Sequence, residues 1–288
     1  MSMLVPGLRV LATTFDAFLV DVWGVIHDGD RPFEGVLEAL EALARARRPV
    51  VLVTNTSRTG ELVVRTLGAM GLDHALFHDV VTAGDVTRAA LVARDPAVFA
   101  GLPAAPRCYH LGDESYVPWL FELGLDFTDD VAVADLVLAT GAFDNAAALA
   151  AARELLAPAA ARNAPLVCTN PDRIIPSAKG MRLGPGAIAR AYGELGAPTF
   201  LYGKPHAPIY AEARRRLSFL DPSARLIAIG DTLETDVRGA ADARIPSALV
   251  VGSGVHAAEL GSADESVLRT FFEREGMAPE LVLPRFAW

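Results

Sequence analysis

Leu226-Ile227-Ala228-Ile229-Gly230-Asp231-Thr232-Leu233-Glu234-Thr235-Asp236 is the stretch on which the fold turns. A short apolar run ends abruptly at a glycine and an acid, and a second acid, Asp236, follows five residues after the first. The same form recurs elsewhere: Ala17-Phe18-Leu19-Val20 runs into Asp21, Val50-Val51-Leu52-Val53 into Thr54-Asn55, and Ala248-Leu249-Val250-Val251 into Gly252-Ser253-Gly254. Near-continuous apolar runs of this length, separated by helix-length segments, read as strands of a parallel sheet buried on both faces. The segments between them carry helical spacing at Val36, Leu37, Leu40 and Leu43, and again at Leu62, Val63, Leu67 and Met70, the second helix stopping near Gly71. The reading is an α/β doubly wound, Rossmann-like core. In such sheets ligands bind beyond the carboxyl ends of the strands, so Asp21, Thr54 and Asp231 are expected to converge although far apart in sequence.

Composition bounds the rest. The chain has 288 residues, 52% of them hydrophobic and 21% charged, enough for a sizeable core and incompatible with global disorder. Lys plus Arg is 26 against 35 for Asp plus Glu, a net charge of −9, which argues against a nucleic-acid partner. Mean hydropathy is +0.31. The longest stretch free of Asp, Glu, Lys and Arg runs from Ile245 to Ala258 and is interrupted by Pro246, Gly252 and Gly254. That falls short of the ~20 apolar residues of a spanning helix, so no membrane partner is expected. No signal-peptide pattern opens the chain, and the 2 cysteines, Cys108 and Cys168, do not make a disulfide framework. A cytoplasmic protein is expected.

The middle of the chain carries a second set of strand-like runs: Arg107 to Leu111, Leu136 to Ala139, and Leu166 to Cys168. Pro and Gly cluster at both ends of this region. The expected organisation is a discontinuous core, residues 1–103 and 199–288, with an inserted α/β module over 104–198.

The acids carry the chemistry. Carboxylates gathered at one sheet edge repel one another unless a cation neutralises them, and Mg2+ suits hard oxygen ligands. Thr54 offers a hydroxyl at a strand end, and the turn Asn55-Thr56-Ser57 can present backbone N–H groups to an anion, as an ordinary N-cap also would. Only two lysines occur, Lys179 and Lys204. Lys204 sits between Gly203 and Pro205 at a strand end, where it could neutralise both a carboxylate and a phosphoryl oxygen.

These pieces, in this order, resemble the haloacid dehalogenase superfamily and its phosphatases. The resemblance is to class IIA, which includes sugar phosphatases and nitrophenylphosphatase-like members and carries a C2-type cap between the second and third motifs. The matching residues are Asp21-Val22-Trp23-Gly24-Val25, Thr54-Asn55-Thr56-Ser57, Gly203-Lys204-Pro205 and Gly230 to Asp236, with Cys168-Thr169-Asn170-Pro171-Asp172 resembling the cap. The resemblance implies a Mg2+-dependent phosphohydrolase acting on a small phosphorylated metabolite through an aspartyl-phosphate. Asp21 would be the nucleophile. Thr54, assisted by Asn55, would bind the phosphoryl group, and Lys204 would hold Asp21 and the phosphoryl oxygens. Asp231, Asp21 and the backbone carbonyl of Trp23 would ligate the metal, with Asp236 in support. Asn170 and Asp172, with Arg173, would select the substrate, although an Asx-turn explains the same residues. A cap-mediated homodimer is plausible on the same grounds.

One departure matters. The resembling phosphatases usually carry a second aspartate two residues after the nucleophile, which protonates the leaving group. Here that residue is Trp23. General acid–base catalysis contributes about 10²–10⁴-fold, roughly 3–5 kcal/mol, so turnover would be biased towards good leaving groups unless His27 or Asp28 substitutes. The alternative function is a catalytically impaired phosphate- and metal-binding protein. A receiver-like signalling domain is disfavoured because its acids gather early in the chain, and a dehalogenase because the acidic constellation favours phosphate. Gly252 to Ala257 matches a dinucleotide fingerprint loosely, but no ribose-binding acid follows the next strand, so a tight turn is the better reading. Cys168 and Arg173 lie one residue short of a cysteine-phosphatase loop, and His74 with His78 lacks the Glu of a zinc helix.

Overall fold

The computed structural model describes residues 2–112, 114, 117–177 and 180–288. Fourteen strands run through these residues. First come β1 (Met3–Leu4), β2 (Ala17–Val20), β3 (Val50–Thr54) and β4 (Asp79–Thr82). The middle holds β5 (Arg107–Leu111), β6 (Asp126–Phe127), β7 (Leu136–Ala139), β8 (Leu166–Cys168), β9 (Ile174–Ser177), β10 (Gly180–Leu183) and β11 (Thr199–Leu201). Last are β12 (Leu226–Gly230), β13 (Ser247–Val250) and β14 (Leu281–Leu283).

The chain divides into two compact units, one of residues up to Thr54 with Gly60–Val81 and Lys204–Trp288, the other of Asn55–Thr59 with Thr82–Gly203. The first unit is built on a seven-stranded sheet of order β1-β14-β13-β12-β2-β3-β4. The pairs β1/β14, β14/β13, β13/β12, β12/β2 and β2/β3 are parallel. Successive residues feed opposite faces of a strand. Phe18, Val20, Val250 and Leu283 join one apolar cluster, with Leu40, Leu43, Val63 and Leu67 from the helices Val36–Arg45 and Gly60–Ala69. Leu249 and Val282 join another with Phe271 and Phe272 from the helix Glu265–Glu275. Burial on both faces is why these strands read as continuous apolar runs. Of the residues at helical spacing, Leu37 is the exception: it faces solvent.

From β2 the chain proceeds one way across the sheet, to β3 and β4, and from β12 the other way, to β13 and β14. The order therefore reverses between β2 and β12, and a crevice at the carboxyl ends is expected at such a switch point. Asp21 and Asp231 each follow directly from these two strands.

The second unit has a five-stranded sheet of order β11-β8-β7-β5-β6, its pairs all parallel, and an antiparallel hairpin β9-β10. One face is covered by the helices Ala146–Ala161 and Pro185–Gly193 through Leu156, Ile188 and Tyr192. Trp119, Leu120, Leu91 and Val98 pack with Cys108, Leu136 and Leu138 in a separate cluster. This unit is larger than the 104–198 segment expected. β11 hydrogen-bonds β8 in register, Thr199 opposite Leu166, so residues 199–201 belong to its sheet. The helix Ala83–Val92 buries Leu91 in its core, which carries the preceding boundary back to Thr82. Among the described residues no helix is long and apolar enough to cross a membrane.

Candidate active site

At the switch point of the first unit the sheet continues one residue past β2, where the Asp21 N–H donates to Ile229 O at 2.8 Å. Asp21, Asp231 and Asp236 come together so that one carboxylate oxygen from each lies within 4.8 Å of the others. Lys204 joins them. Its Nζ donates to Asp21 Oδ1 at 2.6 Å and to Asp236 Oδ1 at 2.7 Å, and the lysine is only 4% exposed. One ammonium bonds two of the three clustered carboxylates, a charge imbalance that burial makes costly.

The ionisation of these groups follows from that imbalance. Burial, with the nearby Asp231 charge, pushes the Asp21 carboxyl up to about 7 although Lys204 pulls the other way. Burial also raises Asp231 and Asp236 above the usual carboxylate range, each with a contribution from a neighbouring acid. Burial acts to depress the Lys204 ammonium, but Asp21 and Asp236 together hold it charged, well above its ordinary value.

Each acid is held by its own backbone neighbourhood. A π-helical turn, Leu233–Val237, follows β12 and swings Asp236 back, so that its Oδ2 accepts the Thr232 N–H at 3.2 Å. Gly230 is required beneath it, since a Cβ there would lie 2.1 Å from Asp236 Cγ. Asp231 Oδ1 accepts the Thr232 hydroxyl at 3.1 Å and Oδ2 accepts the Val255 N–H at 2.7 Å. Buried Tyr210 donates to the carbonyls of Thr235 and Asp236, both at 3.4 Å. Thr54, buried, ends β3 beside the strand that leads to Asp21.

The turn after Asp21 places Trp23 half-buried, its Nε1 donating to Asp28 O at 3.1 Å. Asp28 is exposed, and its Oδ1 accepts the N–H groups of Asp30 and Arg31, which hold the carboxyl below its usual range and therefore ionised. His27 Nδ1 accepts the Gly29 N–H at 2.9 Å, and burial holds the ring below its usual value, so the imidazole is neutral at pH 7 with its proton on Nε2.

The second unit gathers the remaining sequence-predicted residues by itself. Asn55 Nδ2 donates to Asp172 Oδ1 at 2.7 Å, and the Asp172 N–H donates to Asn170 Oδ1 at 2.8 Å. The second bond is the Asx-turn that the sequence suggested. Ser57 and Thr169 share a buried hydroxyl–hydroxyl bond of 2.6 Å in the same loop cluster. Cys168 is fully buried, and burial pushes its thiol up to about 12, which leaves it a core residue. His78 Nε2 lies 3.1 Å from Arg216 O, and His74 packs edge-on against Phe77. Among the described residues only the three aspartates cluster as a cation would require.

Sequence reasoning did not find Thr232, Ser253, Val255 or Tyr210 as parts of this arrangement. Gly252 to Val255 was visible only as a loose fingerprint, and Tyr210 carried no signal.

Comparison with known proteins places this geometry. Residues 18–126 match the haloacid dehalogenase-like hydrolase family, and residues 201–271 match a HAD-hydrolase-like family. The chain is 32% identical over 244 residues to human chronophin, covering 80% of this chain and 79% of chronophin. It is 29% identical over 259 residues to the D-glycerol 3-phosphate phosphatase of Mycobacterium tuberculosis, covering 87% of this chain and 67% of that one. A solved haloacid dehalogenase-like hydrolase from Brucella suis 1330 superposes with a TM-score of 0.78 at 33% identity, covering 99% and 100% of the two chains. The p-nitrophenyl phosphatase of Archaeoglobus fulgidus shares the fold with a TM-score of 0.69 at 23% identity, over 93% and 95%. With the carboxylate cluster and its lysine at the switch point of a doubly wound sheet, the chain belongs to the haloacid dehalogenase-like hydrolases, among their phosphatases.

Proposed function

We propose that this protein is a Mg2+-dependent phosphohydrolase that acts on a small phosphorylated metabolite through an aspartyl-phosphate on Asp21. The observation that carries the reading is the buried lysine bridging two of three clustered aspartates, Lys204 to Asp21 at 2.6 Å and to Asp236 at 2.7 Å. The substrate class is supported by relatives named for glycerol 3-phosphate, sugar phosphates and p-nitrophenyl phosphate.

The donor set fits a divalent cation. Three carboxylates within reach of one another, neutralised by a single ammonium, are hard oxygen donors with uncompensated negative charge. Asp21, Asp231 and the main-chain carbonyl of Trp23 would hold Mg2+, with Asp236 in support; structures of one relative, the glycerol phosphate phosphatase of Mycobacterium tuberculosis, contain calcium in one case and magnesium in the other. When bound, the ion supplies neutralisation of the phosphoryl charge.

The chain's own groups divide the remaining work. An Asp21 carboxylate oxygen attacks phosphorus, forming an acyl-phosphate bond as the bond to the leaving oxygen breaks. Lys204 orients Asp21 and offsets charge on the phosphoryl oxygens, with Asp236 holding the lysine in place. Thr54 and the backbone at Asn55 receive the phosphoryl group. Water then cleaves the acyl phosphate, freeing phosphate and restoring the Asp21 carboxylate. Asn55, Asn170 and Asp172 select the substrate, a reading supported by their mutual hydrogen bonds in the second unit.

Neither Asp28, which caps its own turn as an anion, nor neutral His27 is suited to protonate a leaving group at pH 7. With Trp23 in the intervening position, turnover favours leaving groups that depart as stable anions.

The test is phosphate release with Mg2+ from an aryl and an alkyl phosphate, with Asp21→Asn as control. Faster turnover of the aryl ester, lost in the variant, is expected. Equal turnover of both would mean that another group supplies the proton. Binding of Mg2+ and phosphate without Asp21-dependent turnover would replace this reading with that of a binding protein.

A further inference from the structure

The loop Gly252-Ser253-Gly254-Val255, which leaves β13, touches both halves of the switch point. Ser253 is 9% exposed, and its hydroxyl donates to Gly24 O at 2.6 Å across 229 residues of sequence. Two residues on, the Val255 N–H donates to Asp231 Oδ2 at 2.7 Å. Between them Gly254, at φ +72°, passes so close to the Asp231 carboxylate that a Cβ would lie 1.9 Å from Oδ2. Gly24, at φ +86°, also closes on this oxygen: a Cβ there would lie 2.3 Å away, and 2.9 Å from Gly254 Cα.

Gly24 is thus held at both ends, its N–H donating to His27 O at 2.9 Å and its carbonyl accepting from Ser253. The peptide between Trp23 and Gly24 is planar and trans, so fixing the Gly24 N–H fixes the Trp23 carbonyl in the opposite direction. One short loop therefore holds the Asp231 carboxylate directly and, by gripping the Gly24 carbonyl, braces the residue whose N–H shares a peptide plane with the Trp23 carbonyl. This carboxylate and the Trp23 carbonyl are two of the donors to which the metal reading above assigns Mg2+, and the inference rests on that reading.

We infer that Ser253 is a positioning residue, its hydroxyl bond to Gly24 clasping the turn after Asp21 to the Asp231 side of the crevice so that the donor set is preformed for a divalent cation. The Asp231 acceptor is oriented by Val255 and the glycines provide the close approach, while Ser253 links the Asp231 loop to the turn after Asp21 through a side chain. Loss of such an outer partner weakens metal affinity by about 10–100-fold. The same contacts account for a glycine-flanked serine directly after this strand.

The experiment is calorimetric titration of the full-length protein with Mg2+ alone, on the wild type and on Ser253→Ala, Ser253→Cys and Ser253→Thr, with Asp231→Asn as control. The Mg2+ dissociation constant is expected to rise about 10-fold in Ser253→Ala. Ser253→Cys, with a weak donor of similar size, should fall between, and Ser253→Thr should restore wild-type affinity because it restores the hydroxyl. The melting temperature in chelator identifies folded variants, and the cysteine variant answers if the alanine one does not fold. Affinity in Ser253→Ala within twofold of wild type, or a threonine variant no better than alanine, overturns the inference and leaves the metal reading standing. Wild-type protein that binds no Mg2+ overturns the metal reading and the clasp with it.

Discussion

Replacing Lys204 with methionine removes a buried charge at nearly constant side-chain length, and its effect should depend on pH. The ammonium lies 2.6 Å from Asp21 and 2.7 Å from Asp236, with all three side chains largely shielded from water. Taking one partner out of a buried ion pair costs about 3–5 kcal/mol, because the remaining charge stays desolvated. That cost falls when the stranded carboxylates can take up protons instead. In the protein without metal, Asp21 is raised from its ordinary 3.8 to about 7, and Asp231 and Asp236 are raised in the same direction. Between about pH 4 and pH 7 the folded state therefore binds more protons than the unfolded state, and stability declines as pH rises through that window. Lys204→Met removes the cation that opposes this shift and extends the window upward. At pH 8 in chelator the variant should lose about 3–5 kcal/mol, a fall of roughly 6–20 °C in the melting temperature of the first unit. At pH 5 the loss should be less than half as large. Scanning calorimetry of wild type and variant at the two pH values makes the measurement. Equal losses at both pH values, or a larger loss at pH 5, would refute the account of Lys204 as the counter-charge of a carboxylate cluster.

Three further outcomes are expected. Asp21→Asn should abolish turnover, by more than about 10³-fold, without lowering the melting temperature in chelator at pH 8, since burial of the charged form is the largest influence on that group; a destabilised variant would contradict the pKa assignment. The rise in melting temperature on adding Mg2+ should be greater at pH 8 than at pH 5, because ligation needs the carboxylates deprotonated, and a pH-independent rise would point to binding elsewhere. Gly254→Ala should cost about 2–5 kcal/mol, from the left-handed backbone and the 1.9 Å approach to Asp231 together, as urea unfolding would measure; a cost under about 0.5 kcal/mol would show that the loop relaxes freely.

The strands that build the crevice were legible because burial on both faces leaves an unmistakable pattern. Ala17–Val20, Val50–Thr54 and Leu226–Gly230 occur where the apolar runs place them, and so in the second unit do Leu136–Ala139 and Leu166–Cys168, while Arg107–Leu111 is a strand only partly buried. β4 was not legible, since Asp79 and Thr82 flank only two valines, and the hairpin β9-β10 has no continuous apolar run. The apolar run at Phe200-Leu201 was read as the return to the first unit and instead pairs with Leu166–Cys168. A strand's composition reports that it is buried, not which neighbour accepts its hydrogen bonds. At the candidate site, Asp21 and Asp231 stood out because each follows an apolar strand, Asp236 because it lies five residues past Asp231, and Lys204 because it is one of two lysines and sits between Gly203 and Pro205. Thr232 and Ser253 did not, because a hydroxyl in a loop has the same local signature whether it caps a turn or holds a carbonyl, and Tyr210 did not, because on the helix Ala207–Arg216 it reads as one more core aromatic.

The sequence by itself determined the class of the sheet and the acids Asp21 and Asp231, which follow from apolar run length and from what can end such a run, and the order of its motifs through their resemblance to the haloacid dehalogenase superfamily. Only the tertiary structure decided that Lys204 faces Asp236 as well as Asp21, that Asp28 spends its charge on its own turn, and that Gly24 and Gly254 close on Asp231. The reason is distance. Hydrophobic burial is non-directional and averages over a segment, so it can be read along the chain. Hydrogen bonds and desolvated charges change with each ångström, between residues that folding alone brings together.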